Sequence, residues 1–285
     1  MTEIHPPLAA LIQMSSHFDP SENLRIIDTA LAEAAAAGAA MAFLPEMSLL
    51  LDRDRARSAP YITAEEACEG LRSLQNLAAR HNIWLHSGSI SLLADQGQKR
   101  VNRSHIIDSV GQIRARYDKI HMFDVALPTG EVWTESAAYE GGASLVVTET
   151  PLGKMGLAIC YDLRFPEQFR ALVDAGAELI ALPAAFTVPT GSAHWHILLR
   201  ARAIENGCFL LAAAQAGHHA DGRATYGHSL AVGPWGEIIA DAGPADEPSD
   251  QGYRLALAPI DRQQIFQARQ AIPLAQSRKI RNIIL

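Results

Sequence analysis

Apolar runs of strand length alternate along this sequence with capped, amphipathic segments, and that alternation predicts an α/β fold. Two further observations agree with it. Three of the strand-like runs end on a polar residue able to do chemistry, which is where α/β enzymes gather their sites. With 285 residues, 48% hydrophobic and 19% charged, the chain also holds enough apolar material for one large core, so a single domain over residues 1–285 is expected.

The elements follow in order. Leu8 to Met14 reads as a strand; Asp19 caps a helix with Pro20 at its first position, Gly38 beyond its end, and Leu24, Ile27 and Leu31 as its buried stripe. Met41 to Met47 is a second strand, closed by Pro45, so that Glu46 stands at its end. Thr63 and Glu66 form a capping box for a helix to about Arg80, and Ile83 to Leu93 is the next strand. Val101–Val110 and Ile113–Lys119 flank Gly111 as a hairpin whose second arm delivers Lys119. From Ile120 to Gly142 the periodicity is lost, as in a site-forming loop, and this stretch contains Glu135. Ser144–Thr150 and Met155–Ile159 make a second hairpin around the turn PLGK, ending at Cys160; a helix from Pro166 to Ala175 follows.

Glu178–Leu182 is a short strand, Ala184–Gly191 a loop, and Ser192–Asn206 a helix expected to turn Ile197, Leu198, Ala201 and Ile204 to the core. Cys208–Ala216 is a strand, Gly217–Gly227 is irregular, and strands near His228–Val232 and Glu237–Asp241 flank GPWG. After a loop over Gly243–Gly252, Tyr253–Ala258 supplies the last strand and Asp261 opens the last helix. The tail from about residue 270 to 285 carries apolar residues without an evident intrachain partner, so a homodimer or higher homo-oligomer contact is expected there.

The net charge of -7 comes without an acidic block or a lysine- and arginine-rich run, which argues against nucleic acid or an anionic membrane as partner and leaves a small molecule. Cys68, Cys160 and Cys208 are too few and too far apart for a disulfide framework or a thiolate zinc site; with no long apolar run, they point to the cytoplasm. No metal is expected: His194 and His196 on one helix point to nearly opposite faces, the metalloprotease spacing is absent, and His218 with His219 lacks a partner carboxylate at a convincing distance. Phosphate-cradling and dinucleotide glycine motifs and the G-x-S-x-G elbow are absent, so no organic cofactor is implied.

Cys160 stands at a strand-to-helix turn within GLAICYDLRFPE, a geometry that lifts a side chain from the sheet and turns backbone N–H groups toward what it attacks. If Glu46, Lys119 and Cys160 converge, a partly buried carboxylate with a raised pKa takes the thiol proton while the ammonium stabilises the thiolate. Lys119 and the Tyr161 N–H would then hold the oxyanion of a tetrahedral intermediate on the way to a thioester. Each residue also has an ordinary reading: a buried cysteine as a small hydrophobe, Glu46, Lys119 and Glu135 as surface charges.

FLPEM around Glu46, RYDKIHMFD around Lys119 and GLAICYDLRFPE around Cys160 together resemble the nitrilase superfamily of carbon-nitrogen hydrolases. TESAAYEGG around Glu135, AHWHILLRARAIEN, AAAQAG, YGHS and GPWG extend the resemblance over nearly the whole chain. It implies a four-layer αββα sandwich, dimerisation through helices of one face, a Glu46-Lys119-Cys160 triad with Glu135 as second glutamate, and hydrolysis of linear amides. The segment AAQAGHHADGRATYGHSLAVGPWG is most similar to the branch acting on deaminated glutathione, with release of α-ketoglutarate and cysteinylglycine. Alternatives are ω-amidase action on α-ketoglutaramate, N-carbamoyl amide hydrolysis, or a binding module with a vestigial triad. His218, His219 and Arg223 match the glutathione-type pattern or are solvated loop, and His196 stands where the resemblance leads one to expect glutamate. Phe123, Tyr161, Phe186, Thr187 and Trp195 are the candidate substrate contacts, core packing being the alternative for the aromatics.

Overall fold

A computed structural model describes residues 5–95, 99–127, 130–245 and 251–279. The first half runs β1 (Leu8–Met14), α1 (Pro20–Ala36), β2 (Ala39–Phe43), a short α2 (Arg55–Ser58), α3 (Glu69–Arg80), β3 (Trp84–His86), β4 (Ile90–Leu93), β5 (Arg100–Ile107), β6 (Ile113–Asp118), β7 (Asp124–Ala126) and β8 (Val132–Thr134). The second runs β9 (Val147–Thr150), β10 (Gly153–Leu157), α4 (Pro166–Asp174), β11 (Leu179–Ala181), α5 (Val188–Asn206), β12 (Phe209–Ala212), β13 (Ala216–His218), β14 (Ala224–Tyr226), β15 (Leu230–Val232), β16 (Ile238–Asp241), β17 (Tyr253–Pro259), α6 (Gln263–Ala271) and α7 (Leu274–Ser277).

Two sheets dominate. The first is ordered β17-β1-β2-β3-β5, with β4 beside the other end of β5 and β6 on its far edge; the second is ordered β16-β15-β12-β11-β10-β9. Their faces are assigned by the period of two that a strand imposes. In β1, Ala9 and Leu11 join the cluster that fills the space between the sheets, while Ala10, Ile12 and Met14 pack outward with Ile27 and Leu31 of α1 and Leu71 and Leu74 of α3. Beyond the second sheet, Phe169 and Leu172 of α4 and Trp195, Leu199 and Ala203 of α5 complete the inner cluster. The result is the αββα layering that the sequence resemblance implied. No helix among the described residues is long and apolar enough to cross a membrane.

Several local expectations are corrected. No capping box forms at Thr63 and Glu66; the intervening residues make a 3-10 turn, Glu65–Ala67, and α3 starts from Cys68, because Glu65 is drawn to Arg103, Arg116 and His105. The stretch from Ile83 to Leu93 is two strands parted at Gly88, whose φ is +68°. The helix placed at Ser192 begins at Val188, one turn earlier, with Pro189 in its first turn. Its buried face is Gly191, Trp195, Leu199, Arg202, Ala203 and Asn206, whereas Ile197 is 70% and Ile204 45% exposed. Gly217–Gly227 is not wholly irregular, since β13 and β14 pair there. Parts of the loop after Gly243 and of the tail, residues 246–250 and 280–285, lie outside the described residues.

Gly88 sets the position of the turn after β2. A Cβ built on it would lie 1.9 Å from the Pro45 carbonyl oxygen, so the two turns touch through backbone alone. Gly88→Ala is therefore expected to destabilise by at least about 2 kcal/mol, as backbone clash and positive φ combine. Urea unfolding of the variant checks this, with activity lost faster than stability because Glu46 is the next residue.

Burial also makes two histidines poor bases. His86, fully enclosed, is pushed down to about 3, and His219 to about 4, both by desolvation first. The unfolded chain, with histidine near 6.5, binds the protons that the native state refuses, so stability falls as pH drops from about 6.5 toward 4. The slope should reach about 1.4 kcal/mol per pH unit for each histidine. Urea midpoints that stay flat between pH 7 and pH 5 would contradict this.

Candidate active site

Glu46, Lys119 and Cys160 come from three strand ends. Glu46 follows β2 in a turn whose next residue, Met47, takes a left-handed φ of 56°. Lys119 continues β6: its N–H donates to Asn102 at 2.9 Å and its carbonyl accepts from Gly142 at 2.9 Å. Gly142 must be glycine, for a Cβ there would come 2.5 Å from the Asp118 carbonyl oxygen. Cys160 opens a 3-10 turn, Cys160–Arg164, with φ of 48°, and its N–H donates to Pro183 at 2.9 Å.

Asp162 holds that elbow. Fully buried, it accepts the Ile159 N–H at 2.8 Å and the Tyr117 hydroxyl at 2.7 Å on one oxygen, and the backbone N–H of His121 at 3.1 Å on the other. His121 Nδ1 lies 2.8 Å from this second oxygen, and its ring stacks on Phe165 at 3.5 Å. The strained φ at Cys160 is thus maintained by contacts made on either side of it.

The three side chains meet. Lys119 Nζ lies 3.1 Å from Glu46 Oε1 and 3.0 and 2.9 Å from the two oxygens of Glu135, which opens the 3-10 turn Glu135–Ala137 after β8. Asn102 Nδ2 donates to the same Glu46 oxygen at 2.9 Å, which leaves the second oxygen for the Cys160 thiol. Glu135 also accepts the Phe123 N–H at 2.6 Å.

Burial by itself would lower the Lys119 pKa; the Glu135 and Glu46 carboxylates outweigh it and hold the ammonium well above the ordinary lysine range. Burial first, and then Glu46, push the Cys160 thiol well above its ordinary value, against the opposing pull of Lys119 and of the Ala185 N–H. This differs from a thiolate stabilised at rest. With the thiol pKa raised, nucleophilic use of Cys160 would require its proton to leave as attack begins. Tyr161 N–H sits in the first turn of the 3-10 segment, where such groups are free to meet an oxyanion.

A cavity of about 300 Å3 opens onto the triad. Phe123, Tyr161, Phe186 and Thr187 border it as the sequence suggested, with Phe123 and Tyr161 edge to face at 5.1 Å. Trp195 does not. It is 1% exposed, packs on Phe186 at 4.8 Å and donates Nε1–H to the His228 carbonyl at 2.8 Å, so it supports the wall from behind. His196 also stands off the cavity, facing His228 and Asp241 instead. Of the loop residues, Arg223 borders the cavity, while His219 is buried between Ser16 and Thr225.

Sequence reasoning singled out Arg223 but missed Asn102, Asp162, Gln215 and the other arginines of the rim. The one signal for Asn102 is a polar residue on the inward face of β5, in line with Ile106. Arg53 lies over the Trp133 ring at 3.9 Å and Arg223 over it at 5.8 Å; Arg55, Arg100 and Arg164 stand nearby. Burial first, and then the neighbouring Arg223, lower the Arg53 pKa against the opposing pull of Asp221 and Glu131, and Asp221 also pairs with Arg223 at 2.6 Å.

Comparison with known proteins fits this geometry. The carbon-nitrogen hydrolase family model matches residues 8–270. A deaminated glutathione amidase of Yersinia enterocolitica is 43% identical over 81% of this chain and 80% of its own, and that of Bos taurus 40% identical over 96% and 82%. Among solved structures, the NitFhit protein of C. elegans superposes with a TM-score of 0.84 at 35% identity; the match covers 96% of this chain and 65% of that longer one.

Glu135→Gln keeps an acceptor for Phe123 but removes one of the two charges that offset the burial of Lys119. kcat/KM is expected to fall about 100-fold, and the alkaline limb of its pH profile to move to lower pH as the Lys119 pKa drops. An unmoved limb would deny Glu135 its electrostatic part.

Proposed function

This chain belongs to the carbon-nitrogen hydrolase family, and from that premise we propose that it is a Glu46-Lys119-Cys160 amidase whose substrate is deaminated glutathione. Cys160 Sγ attacks the amide carbonyl as Glu46 takes the thiol proton; Lys119 and the Tyr161 N–H hold the oxyanion. Glu46 then passes the proton to the departing amine, leaving a thioester on Cys160. Water, deprotonated by Glu46, attacks that thioester through a second oxyanion and releases the acid and the free thiol. Glu135 keeps Lys119 charged and in place throughout.

The observation that favours this substrate is the pair of guanidiniums, Arg53 and Arg223, on one indole at the rim of the cavity. Among the acidic neighbours, Asp52 is engaged with Arg57, Glu46 and Glu135 with Lys119, and Asp221 with Arg223 itself at 2.6 Å, so Arg53 is the guanidinium of this pair without a side-chain carboxylate partner among the described residues. Deaminated glutathione carries a carboxylate on the α-keto acid and a second on the terminal glycine, so beyond the carboxylate it shares with an ω-amide it brings another that a guanidinium at the rim of a 300 Å3 cavity can bind. An ω-amide such as α-ketoglutaramate has one carboxylate and loses only ammonia.

A cytoplasmic setting is part of the proposal, supported by three buried cysteines, none of them in a disulfide. So is a homodimer, for which Ile197, Ile204 and Trp235 offer apolar surface on the outer side of α5 and the adjoining turn.

The test is α-ketoglutarate release from deaminated glutathione and from α-ketoglutaramate in parallel. Higher kcat/KM is expected on the first, with Cys160→Ala folded and inactive on both. Arg53→Gln should raise KM for the first substrate about ten-fold, the worth of one charged hydrogen bond, and spare the second. Preference for α-ketoglutaramate would make this an ω-amidase; turnover by Cys160→Ala would remove the mechanism.

A further inference from the structure

We infer that His196, His228 and Asp241 form a binding site for a divalent transition ion of the zinc type, outside the amide cavity. The three residues come from separate segments: His196 from the third turn of α5, His228 from the bend before β15, and Asp241 from the end of β16. Sequence spacing could not bring them together, since His196 has no ligand partner on its own helix.

Their donor atoms all lie within 4.8 Å of one another. His228 Nδ1 is 2.9 Å from Asp241 Oδ2, and His196 Nε2 is 3.8 Å from the same carboxylate oxygen. A tetrahedral zinc ion, with bonds of about 2.0–2.2 Å, spaces its ligand atoms roughly 3.3–3.5 Å apart. Side-chain rotations that move donors by about an ångström therefore complete a His-His-Asp set, with water as the fourth ligand. Two imidazoles and one carboxylate suit zinc, cobalt or nickel better than calcium or magnesium, which take all-oxygen shells.

The site is also held from outside, as metal ligands usually are. His228 has a left-handed φ of 55°, fixed by its N–H on the Gly243 carbonyl at 3.0 Å and by Trp195 Nε1–H on its own carbonyl at 2.8 Å. Asp241 Oδ1 accepts the Gly243 N–H at 2.8 Å. The His228 ring packs against Tyr226 and, edge on, against His196, each at 4.8 Å. The side chains remain 17–31% exposed, so an ion can enter from solvent. Arg200 is the cation nearest His196 in the charge pattern, and its Nε is committed to the Gly236 carbonyl at 2.7 Å.

An ion here would tie α5 to the segment running from Tyr226 to Ser229. Tyr226 N–H donates to the Phe186 carbonyl at 2.9 Å, and Phe186 borders the amide cavity, so the clamp steadies one wall without touching the reaction. None of the three ligands borders the cavity.

Untagged full-length protein carrying Cys160→Ala, which removes the active-site thiol as a rival ligand, is stripped with chelator and dialysed against graded zinc chloride. One zinc per chain is expected, displacing cobalt that has first developed a tetrahedral visible spectrum. His196→Gln and Asp241→Asn should each weaken zinc binding at least about ten-fold and cancel the zinc-dependent rise in melting temperature. Asp241→Asn retains the acceptor for Gly243, and His196→Gln sits on the outer half of a helix, so both keep the fold, which circular dichroism verifies. No saturable binding, or binding unaltered by both variants, would overturn the site.

Discussion

A lysine ammonium with 2% exposure is the constraint on which this active site depends. An isolated charge taken so far from water costs several kcal/mol, and the chain recovers that cost only by placing two carboxylates within about 3 Å of it. Those carboxylates are not free to sit anywhere. One must also reach the thiol, so Glu46 is fixed by Asn102 on its side chain and Gln215 on its carbonyl, and Glu135 by the Phe123 N–H. Removal of any member leaves a buried charge or polar group unpaired, and the site is therefore maintained as a unit.

The sandwich makes that unit possible. Glu46 and Lys119 belong to the first sheet and Cys160 to the second, so the reaction takes place where two sheet edges face each other. The sheets are tied there by polar groups. Gln215, fully buried, accepts the Ser16 N–H, donates to the Ser16 hydroxyl at 2.6 Å and donates to the Glu46 carbonyl at 2.8 Å. Gln13 reaches the other way, to the Ser229 N–H and the Gly243 carbonyl. Apolar packing between sheets is non-directional and tolerates small slides; these amides fix the offset that brings sulfur, carboxylate and ammonium together.

What was legible in the sequence was what depends on neighbours along the chain. β1, α1 with its Asp19 cap, the β5–β6 hairpin around Gly111 and the Cys160 elbow all follow from period, caps and turns read locally. What failed depends on contacts across the fold. Ile197 and Ile204 read as a core stripe because they are apolar at helical spacing, yet Gly191 and Trp195 face inward: Tyr226 presses so closely on Gly191 that a Cβ would come 2.3 Å from it. Trp195 looked like a substrate contact for its chemistry alone. Its indole N–H is spent on His228, and only the three-dimensional structure can show a donor already satisfied. The capping box at Thr63 was lost to a cluster of cations around Glu65, again a tertiary gain outweighing a local one.

The division between chemistry and selectivity follows the same line. Residues proposed to break the amide bond stand at the ends of sheet strands or open tight 3-10 turns, and their surroundings leave little room for substitution. The charges proposed to choose the substrate stand elsewhere, Arg53 after the β2 turn and Arg223 between β13 and β14, on loops outside the two large sheets. Trp133 joins them: from the short hairpin that also positions Glu135, it offers one indole to both guanidiniums. A change in loop length at either arginine would alter which amide is bound while leaving the pairing of Lys119 intact. Selectivity can therefore drift among amides without reopening the electrostatic balance that made Lys119 burial tolerable.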